Sequence, residues 1–137
     1  MDGFTKEIRV RWDQTDCTTR IYFTMYMKWM DDVLTDFFRS KGITFDAVGK
    51  LHLNGERVVH SFAIGEYSCR IKKPSKFDDL IRITVRVKEV REKVLTFEGE
   101  FVDVESGNIV SNAWISFVSV NDEGDSAPIP DEVKALL

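Results

Sequence analysis

One change of hydrophobic period constrains this chain more than any other feature. Residues 4–12 alternate, with Ile8, Val10 and Trp12 on one side and Glu7, Arg9, Arg11 and Asp13 on the other, the pattern of a half-buried strand. From Tyr26 the period lengthens. Tyr26, Met30, Val33, Leu34, Phe37 and Phe38 recur at helical spacing, with Lys28, Asp32, Asp36 and Arg39 opposite. This amphipathic segment runs from about Phe23 to Lys41 and stops at Gly42, a residue suited to the left-handed position after a helix. About 18 helical residues at ~1.5 Å each make a rod of roughly 27 Å.

The rest reads mainly as strand. After a less regular stretch, Ile43 to Gly55, comes a run from roughly Glu56 to Ile71. Next, Ile81, Ile83, Val85 and Val87 face one way while Arg82, Thr84, Arg86 and Lys88 face the other. Leu95, Phe97 and Phe101 mark another run. Ile109, Ala113, Ile115 and Phe117 mark the last, reached through the turn Glu105-Ser106-Gly107-Asn108 and closed by Asn121 to Gly124. Pro130, at a helix N1 position, then opens a short terminal helix, Asp131–Leu137. One long helix followed by consecutive antiparallel strands predicts an α+β fold, a single domain over residues 1–137 with one sheet around the helix. Val110, Trp114 and Val118 oppose Ile109, Ala113 and Phe117, so the last strand is apolar on both faces. That surplus predicts an outer face or edge covered by another subunit, in a homodimer or homotetramer.

Composition narrows the function classes. The 137 residues carry 19 Lys+Arg against 23 Asp+Glu, a net charge of −4, which argues against a dedicated nucleic-acid binder. The N-terminus lacks an apolar signal region, and no stretch nears the roughly 18 apolar residues of a membrane span, so no membrane association and a cytoplasmic location are expected. Cys17 and Cys69 form no disulfide framework, and no His/Cys cluster suggests a metal. His52 and His60 stand isolated in the sequence.

The candidate chemistry lies in Trp12-Asp13-Gln14-Thr15-Asp16-Cys17, just ahead of the helix. Asp16 there would stand near backbone N–H groups with no intrahelical partner. A carbonyl carbon could meet the carboxylate while its oxygen met those N–H groups. The plainer reading is that Asp16 caps or shapes the loop, where Asp is common anyway.

The block Trp12 to Asp16, continued by Ile21-Tyr22-Phe23, Tyr26 and Lys28-Trp29-Met30-Asp31, resembles the 4-hydroxybenzoyl-CoA thioesterase family of hotdog-fold proteins. Lys73-Pro74-Ser75-Lys76-Phe77-Asp78-Asp79-Leu80 is similar to that family's lead into a central strand, and Ile129-Pro130-Asp131-Glu132 to its ending. The resemblance spans nearly the whole chain. It implies a hotdog fold, oligomeric assembly with the active site at the subunit interface, and hydrolysis of an acyl-CoA or acyl carrier protein thioester without a cofactor. It places the catalytic carboxylate on Asp16, as nucleophile or general base.

The backbone N–H groups of Tyr22 and Phe23 are the expected oxyanion donors. Arg20 is a candidate for a carboxylate or phosphate on the ligand. Met25 and Trp29, with Tyr22 and Phe23, are candidates for an acyl or aryl pocket, and Arg91 and Lys93 for a clamp on the CoA phosphates. The chain departs from the family after the acid, with Thr18-Thr19-Arg20 in place of a small residue and Gly, and with Met25 in place of Asn. A hotdog module that binds acyl-CoA or another apolar ligand without catalysis is the alternative expectation, and a structural homo-oligomer a third.

Overall fold

In the computed structural model, which describes residues 1–58 and 61–137, one 16-residue helix stands among eight strands. Strand β1 (Phe4–Arg9) leads into a single 3-10 turn (Trp12–Gln14), and helix α1 spans Met25–Ser40. Strands β2 (Ile43–Phe45), β3 (Leu51–Leu53) and β4 (Glu56–Arg57) form a small three-stranded sheet. Strands β5 (Ser61–Ile71), β6 (Leu80–Val90), β7 (Val94–Asp103) and β8 (Ile109–Val120) join β1 in a five-stranded antiparallel sheet of order β1-β6-β7-β8-β5. A short helix α2 (Asp131–Lys134) follows. The expected α+β architecture is the observed one.

The chain divides into two compact units. The first comprises Met1–Leu34, Ser68–Arg86 and Glu98–Trp114. Its core is built by period-two burial. Ile81, Ile83 and Val85 are fully buried on β6, and Thr84, on the other face, bonds Thr5 across the β1–β6 ladder at 2.9 Å. Tyr26 meets Phe101 edge-on at 5.6 Å. Gly99 makes room for Met30, whose Cε would stand 3.2 Å from a Cβ added there.

The second unit comprises Thr35–Tyr67, Val87–Phe97 and Ile115–Leu137. Its core is aromatic. The Phe38 ring contacts Phe37, Phe45, Phe62, Phe97 and Phe117, with centroids 5.5 to 6.0 Å away.

Several local expectations change. Trp12 does not face inward with Val10: it is 67% exposed, because the chain leaves the ladder at Arg9 and enters the 3-10 turn. The stretch after α1 is not irregular but holds β2 and β3, each too short to show a period. The run from Glu56 to Ile71 divides into β4 and β5. The terminal helix ends at Lys134, and Pro130 caps it rather than opening it. His52 is not isolated, since Asp46 stands 3.0 Å from its Nε2; His60 lies outside the described residues.

Candidate active site

The segment from Thr15 to Ile21 is a tight hairpin. Thr15 and Ile21 form an antiparallel bridge, the Asp16 N–H donates to the Arg20 carbonyl at 2.8 Å, and the Thr19 N–H donates to the Asp16 carbonyl at 3.1 Å. This is the loop in which a turn is followed by one residue in the left-handed region. That residue is Thr19, with φ at 66°. Glycine takes this conformation freely, whereas an L-residue pays roughly 1–2 kcal/mol, and a β-branched one is an outlier there. A threonine therefore occupies a position whose geometry favours glycine.

Long-range backbone bonds hold the loop in place. The Ile21 N–H donates to the Ser75 carbonyl and the Tyr22 N–H to the Gln14 carbonyl, both at 2.8 Å, and the Phe77 N–H donates to the Thr19 carbonyl at 3.1 Å. Ser75 is 1% exposed, so the segment that supplies the Ser75 acceptor and the Phe77 donor is anchored in the protein.

Asp16 is exposed, and its Oδ1 accepts the Thr18 N–H at 2.7 Å and the Thr18 hydroxyl at 2.5 Å. The Thr18 hydroxyl and then the Thr18 amide hold the carboxyl below the ordinary aspartate value of 3.8, with the Arg20 amide and guanidinium adding to the effect. Both Thr18 donors bind Oδ1, which leaves Oδ2 the less engaged oxygen. Asp16 thus shapes its own turn, as the plainer reading expected, and presents an ionised carboxylate as well.

At the helix start, the Met25 N–H donates to the Tyr22 carbonyl at 2.9 Å, and the Thr24 carbonyl takes the Lys28 N–H at 3.2 Å. The Tyr22 N–H is already committed to Gln14, which corrects its assignment as an oxyanion donor. The Phe23 N–H has no acceptor among the described residues.

The remaining candidates separate. Met25 is half-buried, whereas Trp29 is only 3% exposed and packs edge-on against Tyr26 at 6.0 Å, a core position. Arg20 is exposed and closes the Asp16 loop. Arg91 and Lys93 are exposed on the β6–β7 turn of the second unit. The first unit carries two exposed aromatic pairs, one of them the Tyr22 and Phe23 already expected to line a pocket. Tyr22 and Phe23 have ring centroids 5.0 Å apart, and Trp12 meets Phe77 edge-on at 5.6 Å. The Trp12–Phe77 pair had no local signal, because the two residues are far apart in sequence.

An antiparallel sheet, one long helix and an acid-bearing hairpin ahead of the helix start define the hotdog class. Within it, the chain belongs to the thioesterase-like superfamily, whose model matches residues 10–137. The acyl-CoA thioesterase YbgC of Haemophilus influenzae is 24% identical over 99% of this chain and 95% of its own length. The 1,4-dihydroxy-2-naphthoyl-CoA thioesterase Slr0204 of Synechocystis superposes with a TM-score of 0.83 at 17% identity, over 97% of this chain and 93% of that one. The SAV2348 protein of Staphylococcus aureus, solved in complex with CoA, gives a TM-score of 0.83 at 16% identity, over 98% of this chain and 81% of that one. At such identities the solved structures establish the fold.

Proposed function

We propose that this chain is a thioester hydrolase acting on an acyl-CoA or acyl carrier protein thioester. The observation that carries the reading is an ionised carboxylate, Asp16, in the loop leading to the helix N-terminus of a thioesterase-like chain. In the nucleophilic route Oδ2 adds to the thioester carbonyl, the thiolate leaves, and water hydrolyses the resulting anhydride. In the alternative route Asp16 takes a proton from an attacking water. The lowered carboxyl keeps Asp16 ionised at neutral pH, as both routes require. The Phe23 N–H is the proposed oxyanion donor.

Met25 remains a candidate for the acyl pocket, and Arg91 and Lys93 for the carrier's phosphates. A single hotdog domain is part of this reading, supported by a family match that extends through both units. So is a homo-oligomer. Strand β5 is an edge strand of 11 residues with Ile64, Tyr67 and Ile71 exposed, a surface suited to a second copy. No helix is long and apolar enough to cross a membrane. The proposal of a cytoplasmic location rests on the two free cysteines.

Free-thiol release from a panel of acyl-CoAs tests the mechanism. Asp16→Asn and Asp16→Ala should lower kcat by about 10²–10⁴; variants as active as the wild type would remove Asp16 from the chemistry. One observation favours a second reading, a binding module without catalysis: Thr18 occupies Oδ1, so Asp16 already has a structural task. CoA binding without turnover would select that reading.

A further inference from the structure

Arg20 and Lys76 stand opposite each other across an antiparallel bridge. Cβ atoms so placed lie about 4.5–5.5 Å apart, and like charges there repel. Both side chains are exposed, and neither has a carboxylate at salt-bridge distance among the described residues. The Arg20 guanidinium acts on the Asp16 carboxyl only beyond ion-pair distance, and the nearby acids bond other groups. Asp79 accepts the backbone N–H of Lys76 at 2.9 Å, Asp78 stands 3.9 Å from Arg9, Asp13 stands 3.4 Å from Arg11, and Asp16 binds Thr18. Arg70, Lys72 and Lys73, also exposed, add to the positive field just upstream, in a chain whose net charge is −4.

The pair is also rigidly mounted. The Ile21–Ser75 and Phe77–Thr19 backbone bonds flank it on either side, at 2.8 and 3.1 Å. A like-charged pair with no ion-pair contact, on a fixed backbone, is the arrangement expected of an anion subsite, because a ligand can supply that contact without reorganising the site. The position then says which end of the substrate carries the anion. The Arg20 carbonyl accepts the N–H of Asp16 at 2.8 Å and the guanidinium acts on the Asp16 carboxyl, so this subsite adjoins the carbonyl that Asp16 would attack. The phosphates of a carrier lie a whole pantetheine arm away from it.

We propose that Arg20 and Lys76 bind a carboxylate on the acyl group, so that the preferred substrate is a thioester of a dicarboxylic acid. The proposal rests on the thioesterase reading for the reaction, but binding alone can test it. The probes are uncleavable thioethers of CoA bearing a carboxyalkyl chain or the alkyl chain of the same length, and the corresponding pantetheine pair. The wild type should bind the carboxylated member of each pair about 10-fold more tightly, the scale of one charge-assisted bond. Lys76→Gln should remove most of that preference, and Lys76→Arg should keep it. Relief of the repulsion should also leave Lys76→Gln melting no lower than the wild type, which separates lost recognition from lost fold.

Equal affinity for the two chains in the wild type would overturn the proposal. So would a Lys76→Gln variant that weakens both CoA ligands equally and leaves both pantetheine ligands untouched, since the anion would then be the carrier's phosphate. Failure of the wild type to hydrolyse any thioester strikes the thioesterase reading instead, and the thioether comparison still judges the pair.

Discussion

The hairpin that carries Asp16 and the cluster around Phe38 are held by different forces. The hairpin is set by backbone hydrogen bonds and a side-chain clasp on Thr18, with Thr19 strained and Trp12, Tyr22, Phe23 and Phe77 exposed. The Phe38 cluster is set by packing, with five rings around one. Its unit adds polar ties at the surface. Asp46 bonds His52 and the amides of Val48 and Lys50, while Lys50 and Arg57 converge on Asp122 Oδ1 at 3.0 and 2.8 Å. The contrast is physical. Packing stabilises without presenting any group to a ligand, whereas the hairpin keeps strain, charge and apolar surface at the place where a ligand can use them.

The largest effect that could break this contrast lies in the cluster. Phe38→Ala should cost about 3–5 kcal/mol of stability in denaturant unfolding, the range for a buried phenylalanine. A loss no larger than that of a surface substitution would mean that the cluster does not carry the unit. A smaller effect of opposite sign is expected in the hairpin. Thr19→Gly relieves a strain of ~1–2 kcal/mol but loosens the unfolded chain by ~0.4–1 kcal/mol, for a net gain between zero and about 1.6 kcal/mol. Destabilisation by Thr19→Gly would show that the threonine is not strained. Gly107, at φ 73° in open space, provides the converse control, since Gly107→Thr should destabilise.

The smallest effect concerns acid. Hydrogen bonding from Lys50, with the charges of Arg57 and Lys50, holds the Asp122 carboxyl below 3.8; His52 and the Lys50 amide do the same for Asp46. A carboxyl lowered in the folded state contributes stability that is fully present above the unfolded value and is lost as pH falls through the folded value. Asp122→Asn should therefore melt below the wild type at neutral pH, and the gap should close as pH falls below 3.8. A gap that persists in acid would assign the contribution of Asp122 to something other than its charge.

Elements that repeat a local period are legible along the chain. Helix α1 lies where Tyr26 to Phe38 predict it, and β6 buries Ile81, Ile83 and Val85 as their alternation requires. The family was legible too, because its signatures are short and contiguous around Asp16, Pro74 and Pro130.

Which residues meet across the fold is not legible in that way. The pairing of Arg20 with Lys76, of Asp46 with His52 and of Trp12 with Phe77, the commitment of the Tyr22 N–H to Gln14, and the left-handed turn at Thr19 depend on chain reversals and strand register. A periodic pattern states which face a side chain takes. It does not state which side chain of another segment arrives opposite, because register is fixed by backbone bonds between segments distant in sequence.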